Sequence, residues 1–194
     1  MTEDIFIGRK EELERLAFVY GKKSASLVVV RGRRRIGKSR LIEEFAKGKK
    51  FLNFAGIPPT KDTTSRSQRD VFAEQLGKQT GLKDISAADW STLFTLLAHY
   101  TSRGRVIILL DEISWMGSKD SSFLGKLKNA WDLEFKKNPQ LILILCGSVS
   151  TWIEKNIISS SAFLGRISLF LKLDELPLST CHELLLSKGF RRSC

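Results

Sequence analysis

Cysteine is scarce in this 194-residue chain. Cys146, Cys181 and Cys194 show neither metal-ligand spacing nor a disulfide framework, which fits a reducing compartment. Cys146 ends an apolar run and reads as a small buried hydrophobe. Long apolar runs are also missing. None approaches the ~20 residues that a membrane span needs, and the charged N-terminus has no signal-peptide core. A cytoplasmic protein with no membrane partner is expected. There is no internal repeat, no low-complexity tract, and no Asn-Lys-x-Asp segment of the kind that reads guanine. His99 has no metal partner near it in sequence and is given no role.

Acidic residues run short of basic ones: 21 Asp and Glu stand against 32 Lys and Arg, a net charge of +11. Residues 1–50 alone hold 14 Lys/Arg and 7 Asp/Glu. Two readings stay open. One is a surface for DNA or RNA; the other is a solvated basic surface, part of which answers a nucleotide's phosphates. A hydrophobic share of 42% and a charged share of 27% are ordinary for a globular chain. The length suits one domain and the start of a second.

What is present begins with Leu27–Phe45, LVVVRGRRRIGKSRLIEEF. A buried-type apolar strand runs into Gly32-Arg33-Arg34-Arg35-Ile36-Gly37-Lys38-Ser39, and Arg40 continues into a helix with Leu41, Ile42 and Phe45 on one face. This is the P-loop pattern. Its glycines let backbone N–H groups turn inward onto phosphate oxygens at a helix N-terminus. Lys38 is expected to reach the β- and γ-phosphates of ATP, and Ser39 to ligate Mg²⁺. A basic surface turn in an unrelated α/β protein is the alternative.

The rest of the chain alternates strands and helices. Helical patterns are expected over 9–20, 68–79, 88–102, 123–135, 149–155 and 178–187, and strands at Phe51–Ala55, Val106–Leu110, Leu141–Cys146 and Ile167–Leu173. Trp90, Phe94 and Leu97 share a helix face and read as core. Such alternation predicts a parallel sheet covered by helices on both faces, with ligands beyond the carboxyl ends of the strands.

Two further strands end in polar residues suited to one reaction. Asp111, the first carboxylate after an apolar strand, can hold Mg²⁺ through water, and Glu112 beside it can orient and deprotonate an attacking water. Ser148 could bind the γ-phosphate or that water, or cap the next helix. The carboxylate pair suits water activation better than the acceptor pocket of a small-molecule kinase.

GRRRIGKS, LLDEISWM and LCGS together resemble the archaeal-type P-loop ATPases of the AAA+/STAND group of additional-strand enzymes, over about residues 5–187. The resemblance implies a three-layer fold with a five-stranded parallel sheet in the order 5-1-4-3-2, and an ATPase core over 1–176. FIGRKEEL is similar to the group's Gly-Arg-x-x-Glu-Leu box near the adenine, supplied here by Gly8, Arg9, Glu12 and Leu13, with Lys10 where an acidic residue is common. FLGRISLF resembles the segment whose arginine, in related proteins, enters a neighbour's active site. Arg166 is the candidate, which would imply a homo-oligomer; pairing with a carboxylate of its own subunit is the other reading. A helical lid and often a winged-helix domain follow this core in the family. The chain stops at Gly189–Cys194, so residues 177–194 are expected to be the start of a truncated lid. The implied activity is Mg-ATP binding and hydrolysis in a regulatory or DNA-associated domain. The alternative is a non-hydrolysing switch that gates a DNA or protein partner.

Overall fold

The computed structural model describes residues 6–187. Five strands, β1 (Ser26–Gly32), β2 (Phe51–Ala55), β3 (Val106–Asp111), β4 (Leu141–Gly147) and β5 (Ile167–Leu173), form one sheet. Its order is β2-β3-β4-β1-β5 and every pairing is parallel. Read from the other edge this is the expected 5-1-4-3-2. Around it lie α1 (Lys10–Tyr20), α2 (Lys38–Ala46), α3 (Ser65–Thr80), α4 (Trp90–Tyr100), α5 (Ile113–Met116), α6 (Phe123–Leu133), α7 (Ser150–Ile153) and α8 (Leu178–Ser187).

The aliphatic runs become central strands because both of their faces are covered. Along β1, Leu27 and Val29 join one core with α3, α4 and α6, while Val28 and Val30 join another with α1 and α2. The first core contains an aromatic cluster in which Phe72 stacks on Phe54 at 4.4 Å and Trp90 on Phe94 at 5.4 Å. Burying side chains of this size contributes about 1.5–3 kcal/mol each. The second core is mostly aliphatic, with Phe45 edge-on to Tyr20 at 5.8 Å, and carries the P-loop helix.

Helix ends follow their caps more closely than their apolar periodicity. Thr64 and Ser67 form a reciprocal capping box, so α3 begins at Ser65 and not at Gln68. Asp89 accepts from the Ser91 N–H and starts α4 at Trp90. The helix expected to reach Phe135 ends at Leu133, and Phe135–Lys137 tightens into a 3₁₀ turn. The helix expected over 149–155 is the short α7 continued by a π-helical turn, Glu154–Ile158.

The edge strand β2 is not left open. Gln79 bonds both the N–H and C=O of Asn53 at 2.7 and 2.8 Å. Gln75 does the same for Ala55 at 2.9 and 3.1 Å, and Gln68 for Ile57 at 3.0 and 2.8 Å. These glutamines line one side of α3 and occupy backbone groups that could otherwise pair with another strand. At the far end α8 has no buried residue. The expected end at Gly189–Cys194, with Cys194, lies outside the described residues.

Candidate nucleotide site

The loop between β1 and α2 shows why its glycines stand where they do. A Cβ on Gly32 would lie 2.7 Å from the Leu173 carbonyl oxygen, so glycine there lets β1 and β5 approach. Gly37 answers a different need: nothing crowds it, but its φ of 93° is left-handed. Arg35 is also left-handed at 64°, a conformation that costs a non-glycine residue about 1–3 kcal/mol. Alternation of this kind turns successive N–H groups to one side and forms an anion-binding concavity. No side chain caps α2, so its first N–H groups face the loop.

Lys38 is buried, and its Nζ donates to the carbonyls of Gly32 at 3.0 Å and Arg33 at 2.9 Å. Ser39 Oγ donates to Asp111 Oδ2 at 2.6 Å, and Asp111 Oδ1 accepts from the Glu112 N–H at 2.9 Å. Glu112 Oε2 in turn accepts from Ser148 Oγ at 2.8 Å and from the Ser148 N–H at 3.2 Å. Groups at the start of α2 and at the carboxyl ends of β3 and β4 thus form one hydrogen-bonded chain. Ser148 holds the Glu112 carboxylate through two donors. Glu112 is left-handed at φ 50° and opens the unpredicted helix α5. Beneath this group lies Cys146, whose thiol is pushed well up by burial and then by the negative charge of Asp111.

The loop arginines diverge. Arg34 lies over the Trp115 ring at 5.5 Å. Arg33 pairs with Glu175 at 2.6 Å, and Arg40 lies 3.8 Å from Glu44. Ile36 packs against the α1–α2 core. Arg9, left-handed at φ 58°, donates to the Asp174 carbonyl at 2.6 Å, to Ile36 O at 3.4 Å and to Glu12 at 3.1 Å. It ties the N-terminal turn to both the P-loop and the end of β5. A cleft of about 880 Å³ opens beside it, lined by Phe6, Gly8, Arg9, Asp174, Leu176 and Thr180. Arg9 links it to the P-loop at Ile36, but Lys38, Asp111 and Glu112 do not line it.

Arg166 lies elsewhere. It precedes β5 at the end where Ile167 pairs with Leu27, whereas the P-loop leaves where Leu173 pairs with Gly32. Six residues of strand, roughly 20 Å, separate the two levels. Its guanidinium grips Asp132 at 3.0 and 2.8 Å, the pairing within its own chain that the sequence left open. That hydrogen bond, reinforced by Lys128, holds the Asp132 carboxyl well below the usual range against the opposing effect of burial.

Sequence residues 6–192 match an ATPase domain found predominantly in Archaea. The chain belongs to this family of ATPase domains. An uncharacterized protein of Methanocaldococcus jannaschii is 23% identical to this ATPase domain over 179 residues, which is 92% of this chain and 38% of that protein. An uncharacterized ATP-binding protein of the same organism is 46% identical over 47 residues, 24% of this chain and 80% of that protein. Among solved structures, the Walker-type ATPase paby2304 of Pyrococcus abyssi superposes with a TM-score of 0.70 at 18% identity, over 95% of this chain and 58% of that one. The Aeropyrum pernix ORC1 protein, solved in complex with DNA, gives 0.61 at 20% identity over 96% and 50%. The chain spans 38% of the first of these relatives and 50–58% of the two solved proteins. Among its described residues no helix is long and apolar enough to cross a membrane.

Several site features had no signal in the sequence. The Ser148–Glu112 contact is announced by neither residue's local sequence, although the implied order 5-1-4-3-2 already sets β4 beside β3. Gly56, where a Cβ would come within 3.0 Å of the Glu112 carbonyl, marks a close approach of the β2 exit to the Asp-Glu turn. Arg31, at the end of β1, pairs with Glu154 and lies over Phe170, 123 residues away from the first partner in the chain.

Proposed function

We propose that this ATPase domain binds Mg-ATP at the P-loop and hydrolyses its terminal phosphate bond, as a regulatory or DNA-associated domain of the AAA+/STAND type. The observation that supports this reading best is the hydrogen-bonded chain Ser39–Asp111–Glu112–Ser148 across three neighbouring strands. The Ser39 hydroxyl and the Asp111 carboxylate, 2.6 Å apart, are hard oxygen donors of the kind that hold Mg²⁺ together with substrate phosphates. Mg²⁺, when bound, would neutralise charge on the phosphate oxygens. Lys38 leaves its two loop carbonyls to donate to phosphate. Glu112, released by Ser148, turns to accept a proton from the attacking water. Gly8 and Arg9 line the neighbouring cleft, which would take the adenine.

Substituting Glu112→Gln should leave ATP affinity near wild type and cut phosphate release by about 10²–10⁴-fold. Turnover equal to wild type would remove Glu112 as the base. A second reading, a switch in which ATP binding alone gates a DNA or protein partner, is favoured by the two donors of Ser148 on Glu112 Oε2. ATP binding without turnover at any protein concentration would select it. A role for Arg166 in a homo-oligomer requires release from Asp132, and turnover rising steeply with concentration would reveal it.

A further inference from the structure

All five strands begin at the end of the sheet opposite the P-loop, and basic residues lead into each of them. Lys22 and Lys23 precede β1; Lys47, Lys49 and Lys50 precede β2; Arg103 and Arg105 precede β3; Lys136 and Lys137 precede β4; Arg166 precedes β5. The same five segments, residues 21–25, 47–50, 101–105, 134–140 and 159–166, contain one acidic residue, Glu134. Among the described residues, six of these ten cations form no ion pair: Lys22, Lys23, Lys49, Lys50, Arg103 and Arg105. Several are held in place on aromatic rings. Lys49 and Arg105, from different segments, share the Tyr20 ring at 5.3 and 4.6 Å, and Lys50 lies 4.8 Å from the Tyr100 ring. Gathering like charges without carboxylates to answer them raises the local potential.

We propose that this amino end of the sheet is a docking face for the phosphate backbone of duplex DNA. Five strands at their usual spacing set the cations across roughly 19 Å, and a duplex presents one negative charge per about 1.7 Å of axis. Lysines outnumber arginines seven to three, which suits point contacts to phosphate over base reading by a planar fork. Exposed apolar residues near this end include Phe18 on α1 and, against the opposite face of the sheet, Leu133 on α6 and Leu164 before β5. They do not form the single apolar face by which a basic surface enters a lipid interface.

Binding of a fluorescently labelled random-sequence DNA duplex across a salt series tests the face. The wild type should bind with a steep negative slope of log affinity against log salt. Lys23→Ala/Lys50→Ala/Arg103→Ala should make that slope shallower by about 2.7 and weaken binding at least tenfold at low salt. Lys61→Ala/Lys119→Ala, at the P-loop end, should leave the slope unchanged. Glu112→Gln should bind the duplex as wild type does, which separates this proposal from the hydrolysis reading. The proposal is overturned by an absence of salt-dependent binding in the wild type, by an unchanged slope in the triple variant, by an equal loss in the P-loop-end control, or by preference for phosphatidylserine vesicles over the duplex. If the triple variant loses its cooperative unfolding, Lys23→Ala alone should shift the slope by about 0.9.

Discussion

At the carboxyl end of the sheet, the segments leaving the strands hold five cations and five acidic residues; at the amino end the corresponding segments hold ten and one. The carboxyl end interlocks its polar groups at short range. Ser39 and Asp111 are 2.6 Å apart, Ser148 and Glu112 are 2.8 Å apart, and the Lys38 ammonium sits between two carbonyls. Groups fixed this way act through geometry, where an error of about 1 Å matters. The amino end is a field of cations, most of them without a carboxylate partner, whose influence decays with the Debye length of about 8–10 Å. One end is arranged for positioning a small anion and the other for attracting a large one.

The largest effect expected on this contrast comes from Lys38→Ala. It removes a buried ammonium from the P-loop and should weaken ATP binding by about 10²-fold or more, equivalent to roughly 3 kcal/mol. Calorimetric titration of ATP would read it. Duplex binding by the same variant should be unaltered; a parallel loss of both would show that the two ends are not separate sites. Next comes Gly32→Ala. Its Cβ would meet the Leu173 carbonyl at 2.7 Å and Ile36 Cγ2 at 3.2 Å, so β1 and β5 must part or the loop must shift. A cost of about 1–3 kcal/mol is expected, seen as a melting temperature lower by roughly 2–10 °C and as weaker ATP binding. An unchanged melting temperature would mean that the strand pair yields freely there.

The same contrast explains what the sequence disclosed. β2 and β5 keep their expected limits because their apolar runs are bounded by Lys50 and Gly56 and by Arg166 and Asp174, which leave few alternatives. The sheet order follows the family resemblance. Asp111, Glu112 and Ser148 stand out because each follows an apolar strand, but no local pattern announces their mutual contacts, although the implied order already sets β4 beside β3. The glutamines on α3 are ordinary surface residues in sequence, and only the edge position of β2 makes them backbone partners. Charge misleads most. Counted along residues 1–50, Lys22, Lys23, Lys47, Lys49 and Lys50 belong with the P-loop arginines, yet one strand or helix length carries them to the opposite end. Asp132 likewise gives no sign of its partner, which is 34 residues away.

The smallest expected effect concerns that partner. Asp132 collects Arg166 at 2.8 Å, Lys128 at 3.0 Å and Lys136 at 3.5 Å, and so offsets part of the charge at the amino end. Its carboxyl titrates below the usual range in the folded state. A depressed folded value contributes stability above the unfolded value of about 3.9, and this contribution is lost as pH falls through the folded value. Asp132→Asn should therefore unfold more readily than wild type at neutral pH, with the difference shrinking below about pH 4. The same substitution removes a negative charge from the proposed DNA face and should tighten duplex binding at low salt. Denaturant melts at pH 7 and pH 3, set beside the duplex titration, separate the two consequences. Weaker duplex binding by Asp132→Asn would mean that the carboxylate serves mainly to hold Arg166 in position for phosphate.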